Sequence, residues 1–217
     1  MKNLSKSKYT TYCQCPKALW LRIYKPEEQI IDPSVQARFE AGSEVGELAK
    51  RLFGEFEDVT TYVPMDDGSQ CLDLKAMIAK TQDCLNRNVE NIAEAAFSYD
   101  GCYCAVDILH KTENGYAIYE VKSSTDLSHL EVYAQDVAYQ KYVLTNCGIN
   151  VTGTYLVNIN NEYVLDGELN VKEFFNISDI SEAVADEYLK VPTRIAQAKQ
   201  MLEGDEPERD FGEYCHK

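Results

Sequence analysis

The sequence predicts an α/β fold with an αβββαβ core, in which a central mixed sheet is flanked by helices, and with helical additions at the N- and C-terminal ends. Three observations carry this. Between Ile92 and Lys122, three short runs rich in aromatic and aliphatic residues follow one another, separated by turn-forming residues. A helical pattern over Ser128 to Cys147 then ends in Gly148, a residue suited to the left-handed position just past a helix. Beyond it, Val151 to Asn158 (VTGTYLVN) alternates as a further strand.

The elements read in order as follows. An N-terminal helical region leads into a long amphipathic helix, Val35 to Phe53, and a second helix spans Leu72 to Asn88. Ile92 to Tyr99, Cys102 to His110 and Tyr116 to Lys122 (YAIYEVK) are the first three strands of the sheet. The Asn114-Gly115 pair favours a two-residue type I′ turn in which Glu113 pairs with Tyr116, a register that sets Asp107 opposite Lys122. After Val151 to Asn158, Glu162 to Leu165 forms a short strand. Ser178 caps a helix running to Tyr188, Pro192 breaks it, and Thr193 to Leu202 continues as helix. Gly204 to Arg209 is a charged loop. With no internal repeat, low-complexity tract or linker, residues 1–217 read as one domain.

Asp107 and the Glu120-Val121-Lys122 triplet form the most informative pattern. Side chains alternate faces along a strand, so Glu120 shares the face of Lys122 and lies diagonally from Asp107, roughly 7–8 Å away at the Cβ level. Two hard oxygen donors so placed hold Mg²⁺ or Mn²⁺, with water and phosphate filling the remaining positions. The Val121 carbonyl is a candidate further ligand, and Lys122 is placed to orient or deprotonate an attacking water beside the metal. On the following helix, Gln135 and Tyr139 stand four residues apart on one face, and Asp136 and Gln140 offer the same spacing in an alternative register.

Asp107, then Glu120-x-Lys122, then Gln135-x-x-x-Tyr139 resembles the PD-(D/E)XK nuclease superfamily in its RecB-like branch. The resemblance implies a restriction-endonuclease-like fold, metal-dependent cleavage of phosphodiester bonds with exonuclease action as the usual mode, and a role for Gln135 and Tyr139 at the metal site or on nucleic acid. A second resemblance lies at the N-terminus. Leu4-Ser5-Lys6-Ser7-Lys8, followed by Cys13-x-Cys15-Pro16-Lys17-x-Leu19-Trp20-Leu21, is similar to the opening of the CRISPR-associated RecB-like exonucleases and of a related bacterial family of uncharacterised nucleases. There the Cys before Pro is the first ligand of an iron–sulfur cluster, which puts Cys15 in that position and Cys215 in a C-terminal one. A 4Fe–4S cluster needs four thiolates. Two expected ligands are missing here unless Cys13, or another cysteine brought near by the fold, substitutes, and the chain reads as an N-terminal fragment of a longer protein in which the cluster is completed. In many members of that family a His four residues after a helix glycine contacts a metal; that position is Gly46 here, which leaves Glu44 or Glu47 as substitutes, and Glu94, just before Ala95 to Tyr99 of the first strand, is another candidate ligand.

Composition bounds the partners. The formal net charge is −15, yet the first 26 residues carry Lys2, Lys6, Lys8, Lys17, Arg22 and Lys25 and no acid. This basic segment, interleaved with Tyr9, Tyr12, Trp20 and Tyr24, makes Lys6, Lys8, Lys17 and Arg22 candidates for tracking a nucleic-acid backbone, DNA by the resemblance. The acidic remainder confines such contact to a groove, and also suits a protein partner. There is neither an apolar run long enough to span a membrane nor the apolar core of a signal peptide, so a cytoplasmic location and no membrane partner are expected. Eight cysteines without a disulfide framework fit a reduced, metal-binding chain. A noncatalytic nucleic-acid-binding or assembly module that keeps the fold is the alternative, favoured by Gly46 and the acidic surface.

Overall fold

The computed structural model describes residues 3–30, 33–66 and 68–208, and within these all side chains except those of 33–40. In chain order the elements are β1 (Leu4–Ser5), α1 (Lys6–Gln14), α2 (Pro16–Tyr24), a 3₁₀ turn (Pro26–Glu28), α3 (Pro33–Ala49), β2 (Glu57–Asp58), β3 (Tyr62–Pro64), β4 (Gln70–Leu72), α4 (Leu74–Asn86), β5 (Asn91–Tyr99), β6 (Cys102–Thr112), β7 (Gly115–Lys122), α5 (Leu130–Asn146), β8 (Val151–Ile159), α6 (Val171–Phe174), β9 (Phe175–Asp179), α7 (Ser181–Tyr188) and α8 (Val191–Met201). The α/β class and the meander, helix, strand order follow the sequence pattern. Cap chemistry sets several starts: Ser5 Oγ accepts from the Lys8 N–H, Pro16 opens α2, and the Asp73 carboxylate accepts from the Ala76 N–H at the head of α4.

Six strands lie side by side in the order β2-β5-β6-β7-β8-β9. The β2–β5 and β7–β8 pairs are parallel and the other neighbours antiparallel, so the sheet is mixed. β1 joins it in parallel with β6 at Cys102 and Tyr103, beyond the last residue of β6 that pairs with β7, Ile108. The larger core packs α1, α2, α4, α5, α7 and α8 residues such as Tyr9, Leu19, Met77, Val137, Val184 and Ile195 against the sheet. A smaller cluster of Ala49, Leu52, Ile108, Val157 and Phe175 seats the end of α3. β3 and β4 form a separate antiparallel hairpin. Among the described residues no helix is long and apolar enough to cross a membrane.

Four expectations are corrected. The type I′ turn belongs to Asp100-Gly101, where φ is 45° and 71° and Tyr99 pairs with Cys102. In the next hairpin Thr112 pairs with Gly115 and Lys111 with Tyr116, so Glu113 and Asn114 make the turn, neither with positive φ. The cause is the incoming β8: a Cβ on Gly115 would lie 2.2 Å from the Asn150 carbonyl oxygen, and Asn150 Nδ2 donates to the Asn114 carbonyl at 2.6 Å. Continued one step, this register faces Asp107 with Glu120 rather than Lys122. Secondly, Glu162 to Leu165 is not a strand; Val164 and Leu165 are exposed, and Phe175–Asp179 takes the edge beside β8 because Phe175 has a core to enter. Thirdly, Ser178 lies in that strand, and the following helix starts at Ser181, whose N–H is accepted by Asp179. Lastly, Leu72 pairs with Tyr62 of β3 instead of opening α4, which starts at Leu74.

Candidate active site

The sheet interrupts its own pleat where the acids gather. Ala93 pairs with Ile108 and Ala95 with Val106, while Glu94 between them has φ 57°, the left-handed region that costs a non-glycine residue about 1–2 kcal/mol. Facing it on β6 is Asp107. The Val121 N–H donates to Asp107 Oδ2 at 2.7 Å, so a carboxylate takes a hydrogen bond that a backbone carbonyl of β6 would accept in a regular ladder. This bond ties the end of β7 to Asp107 and brings Glu120, Val121 and Lys122 to the same place.

Glu120 is 1% exposed, and both of its oxygens are engaged. Lys6 Nζ donates to Oε1 and Oε2 at 2.9 and 3.0 Å, Lys122 Nζ to Oε1 at 2.7 Å, and Gln140 Nε2 to Oε2 at 2.6 Å. Lys6 Nζ also lies 3.9 Å from Asp107 Oδ1. Lys122 Nζ reaches Asp136 Oδ2 at 2.9 Å and lies 5.4 Å from the centre of the Tyr133 ring. Gln140 Oε1 is buried and has no partner among the described residues.

These contacts set the protonation states. Burial pushes the Asp107 carboxyl up, Glu120 adds to the push, and Lys6 and Lys122 only partly offset it. Burial acts on Glu120 in the same sense, but Lys122 and Lys6 outweigh it and hold the group below the ordinary carboxylate range. Desolvation disfavours the Lys122 ammonium, yet Glu120 and Asp136 raise its pKa above the usual lysine range; Lys6 is raised for the same reasons by Glu120 and Asp107. Glu94 is pushed up to about 7 by burial and by Asp107, against the pull of Lys50 and Lys6.

Lys6, Glu94, Asp107, Glu120, Val121 and Lys122 line one cleft of about 980 Å³, walled on one side by Gly42, Gly46, Glu47 and Lys50 of the α3 region and on another by Asp58, Thr60, Tyr62 and Leu72. Lys50, 5% exposed, bridges Glu47 and Asp58, the latter at 2.6 Å. Gly46 faces open space, with nothing within 4 Å of the position its Cβ would take.

The structure thus brings together Asp107, Glu120, Val121, Lys122, Glu94, Glu47 and Lys6 from the sequence-derived set. On α5, Asp136 and Gln140 reach Lys122 and Glu120, whereas Tyr139 stacks on Tyr9 at 4.7 Å, donates its hydroxyl to the Leu4 carbonyl and accepts from the Tyr103 N–H at 3.2 Å. Tyr139 therefore anchors β1, and Gln135, beside it, is partly exposed. Lys8 donates to the Asn3 carbonyl, Lys17 pairs with Glu206 and Arg22 donates to Thr11, all away from the cleft lining. Cys15 joins α1 to α2, and Cys215 lies outside the described residues. Lys50 and Asp58 carried no sequence signal of their own, because a two-residue strand and a single lysine in a helical pattern show no periodicity.

Among the described residues no three His, Cys, Asp or Glu side chains converge as a ready-made metal cage; the acids converge on lysines instead. Two carboxylates are nonetheless what Mg²⁺ asks of a protein when water and phosphate complete its shell, so the donor set fits a hard divalent cation. An iron–sulfur cluster calls for thiolates instead, and of the described cysteines Cys102 and Cys104 are buried in the sheet core, Cys84 is buried at α4, and Cys71 is exposed on the hairpin.

No family model matches the chain, and no curated protein matches it. Among solved structures it is similar to LHK-Exo, an alkaline exonuclease from Laribacter hongkongensis, at 11% identity and a TM-score of 0.43 over 93% of this chain and 90% of that one. The complex of LHK-Exo with dAMP gives 12% identity and a TM-score of 0.44 over the same shares.

Proposed function

We propose that this chain is a metal-dependent nuclease that hydrolyses phosphodiester bonds of DNA, acting as an exonuclease with Mg²⁺ or Mn²⁺. The observation that carries the reading is the joined set of Asp107, Glu120 and Lys122 on the floor of one open cleft, in the order and spacing of the PD-(D/E)XK pattern. Asp107 and Glu120 would hold the ion, with the Val121 carbonyl, Glu94 and Glu47 as further oxygen donors at the cleft wall. Bound there, such an ion makes its water more acidic and neutralises charge on the phosphoryl oxygens. The chain's own residues do the rest. The Val121 N–H fixes Asp107, and Gln140 fixes Glu120. Lys122 is held as an ammonium by Glu120 and Asp136 and so stabilises phosphate charge and orients water rather than removing a proton. Asp136 and Gln140, rather than Gln135 and Tyr139, fill the helix positions of the motif.

The test is cleavage of end-labelled single- and double-stranded DNA in Mg²⁺ and in Mn²⁺, with EDTA and Asp107→Ala as controls. Metal-dependent cutting that Asp107→Ala abolishes supports the reading. Folded protein that cuts neither substrate in either metal favours the alternative, a nucleic-acid-binding module that retains the fold. Two observations favour that alternative: Lys6 on Glu120, and Gly46 with no side chain to offer the cleft. For the iron–sulfur centre that the resemblance implies at Cys15 and Cys215, visible absorbance after anaerobic purification decides.

A further inference from the structure

Lys6 reaches the site by a rigid mount. The Leu4 N–H donates to the Gly101 carbonyl at 2.9 Å, the Leu4 carbonyl accepts from buried Tyr139, and Ser5 caps α1, so the first residue of α1 is fixed against the end of β6. From there the Lys6 amine sits on both oxygens of Glu120 and 3.9 Å from Asp107, the two carboxylates proposed to hold the metal. An ammonium has three donors and no lone pair, so it and a cation cannot use the same carboxylate lone pairs together. The two acids also repel each other, and an uncompensated buried carboxylate is costly. Lys6 lies against both acids and compensates them together with Lys122, and its side chain, 22% exposed, keeps an opening to the cleft.

Resting on the metal site proposed above, we propose that Lys6 is a resident counter-ion of that site, a positioning residue that holds Asp107 and Glu120 together in the metal-free protein and yields its place on Glu120 to the incoming divalent cation. Metal binding is then a displacement, and the apparent affinity is lowered by the fraction of molecules in which Lys6 occupies the acids. Removing the ammonium moves two observables in opposite directions: the metal-free protein loses stability, and metal binds more tightly. A residue that merely braced the site would lower both when removed.

The experiment is calorimetric titration of Mn²⁺, without DNA, into the wild-type chain, Lys6→Met and Lys6→Arg, beside thermal unfolding of each in EDTA. Lys6→Met is expected to bind Mn²⁺ about tenfold more tightly or better and to unfold at a lower temperature in EDTA. Lys6→Arg, which keeps the charge, is expected to stay near wild-type affinity. The inference is overturned if wild type binds Mn²⁺ and Lys6→Met binds it equally or more weakly, an outcome that leaves the proposed metal site standing. If none of the three proteins binds Mn²⁺, the inference and the metal-dependent function fall together.

Discussion

Gln140, with no exposure to solvent, donates its side-chain amide at 2.6 Å to Glu120, twenty residues earlier on the neighbouring strand. A hydrogen bond to a buried charge contributes more than one between neutral groups, and its loss strands part of that charge. Gln140→Leu keeps most of the volume while removing the donor. It is expected to cost about 1–3 kcal/mol in urea unfolding. A cost no larger than for a surface substitution would mean that Lys6 and Lys122 alone satisfy Glu120.

Glu94 makes stability depend on pH in the sense opposite to a salt-bridged carboxylate. Its folded pKa, about 7, lies above the ordinary value of 4.5. Below pH 4.5 the group is protonated in both the folded and the unfolded chain and contributes nothing to the difference. Between 4.5 and 7 only the unfolded chain releases the proton, so stability falls as pH rises, and above 7 the loss is complete. Glu94→Gln removes this loss. In EDTA the variant should exceed wild type by a margin that grows across that window to about 1–3 kcal/mol at pH 8.5. A margin independent of pH would show that Glu94 ionises normally.

Gly46 lies inside α3 with open space where a Cβ would go. Gly46→Ala should therefore raise stability by about 0.5–1 kcal/mol through backbone entropy alone. Destabilisation instead would show that the cleft wall packs more closely there than this geometry allows.

The legible and illegible parts of the site divide along one line. Asp107, Glu120 and Lys122 lie on long strands whose alternation the sequence displays, so their convergence followed from local pattern. The hairpin register did not, because the residue that decides it, Asn150, approaches Gly115 from the connection between α5 and β8. The helix motif offered two registers with equal spacing, and only the packing of Tyr139 against Tyr9 and Leu4 separates them. Lys6 reads as part of a basic segment, since a two-residue strand has no periodicity and the pairing of Leu4 with Cys102 joins residues almost half the chain apart. Phe175–Asp179 was missed because Glu162 to Leu165 carries a stronger apolar run but has no core to bury it.

Glu120 and Lys122 have separable roles, and their variants should part accordingly. Glu120→Gln removes a proposed metal ligand and is expected to weaken Mn²⁺ binding and cleavage together. Calorimetry on this variant that matched wild type would remove Glu120 from the ligand set.

Turnover of DNA by Lys122→Met at saturating Mn²⁺ tests the central claim most directly, because the ammonium cannot ligate a cation and so acts only on water and phosphate. The variant should bind Mn²⁺ at least as tightly as wild type, a nearby positive charge having gone, while its cleavage rate falls by about 10²–10³-fold. Cleavage at the wild-type rate would contradict the account, leaving Lys122 a structural partner of Glu120 and Asp136 and the catalytic assignment wrong.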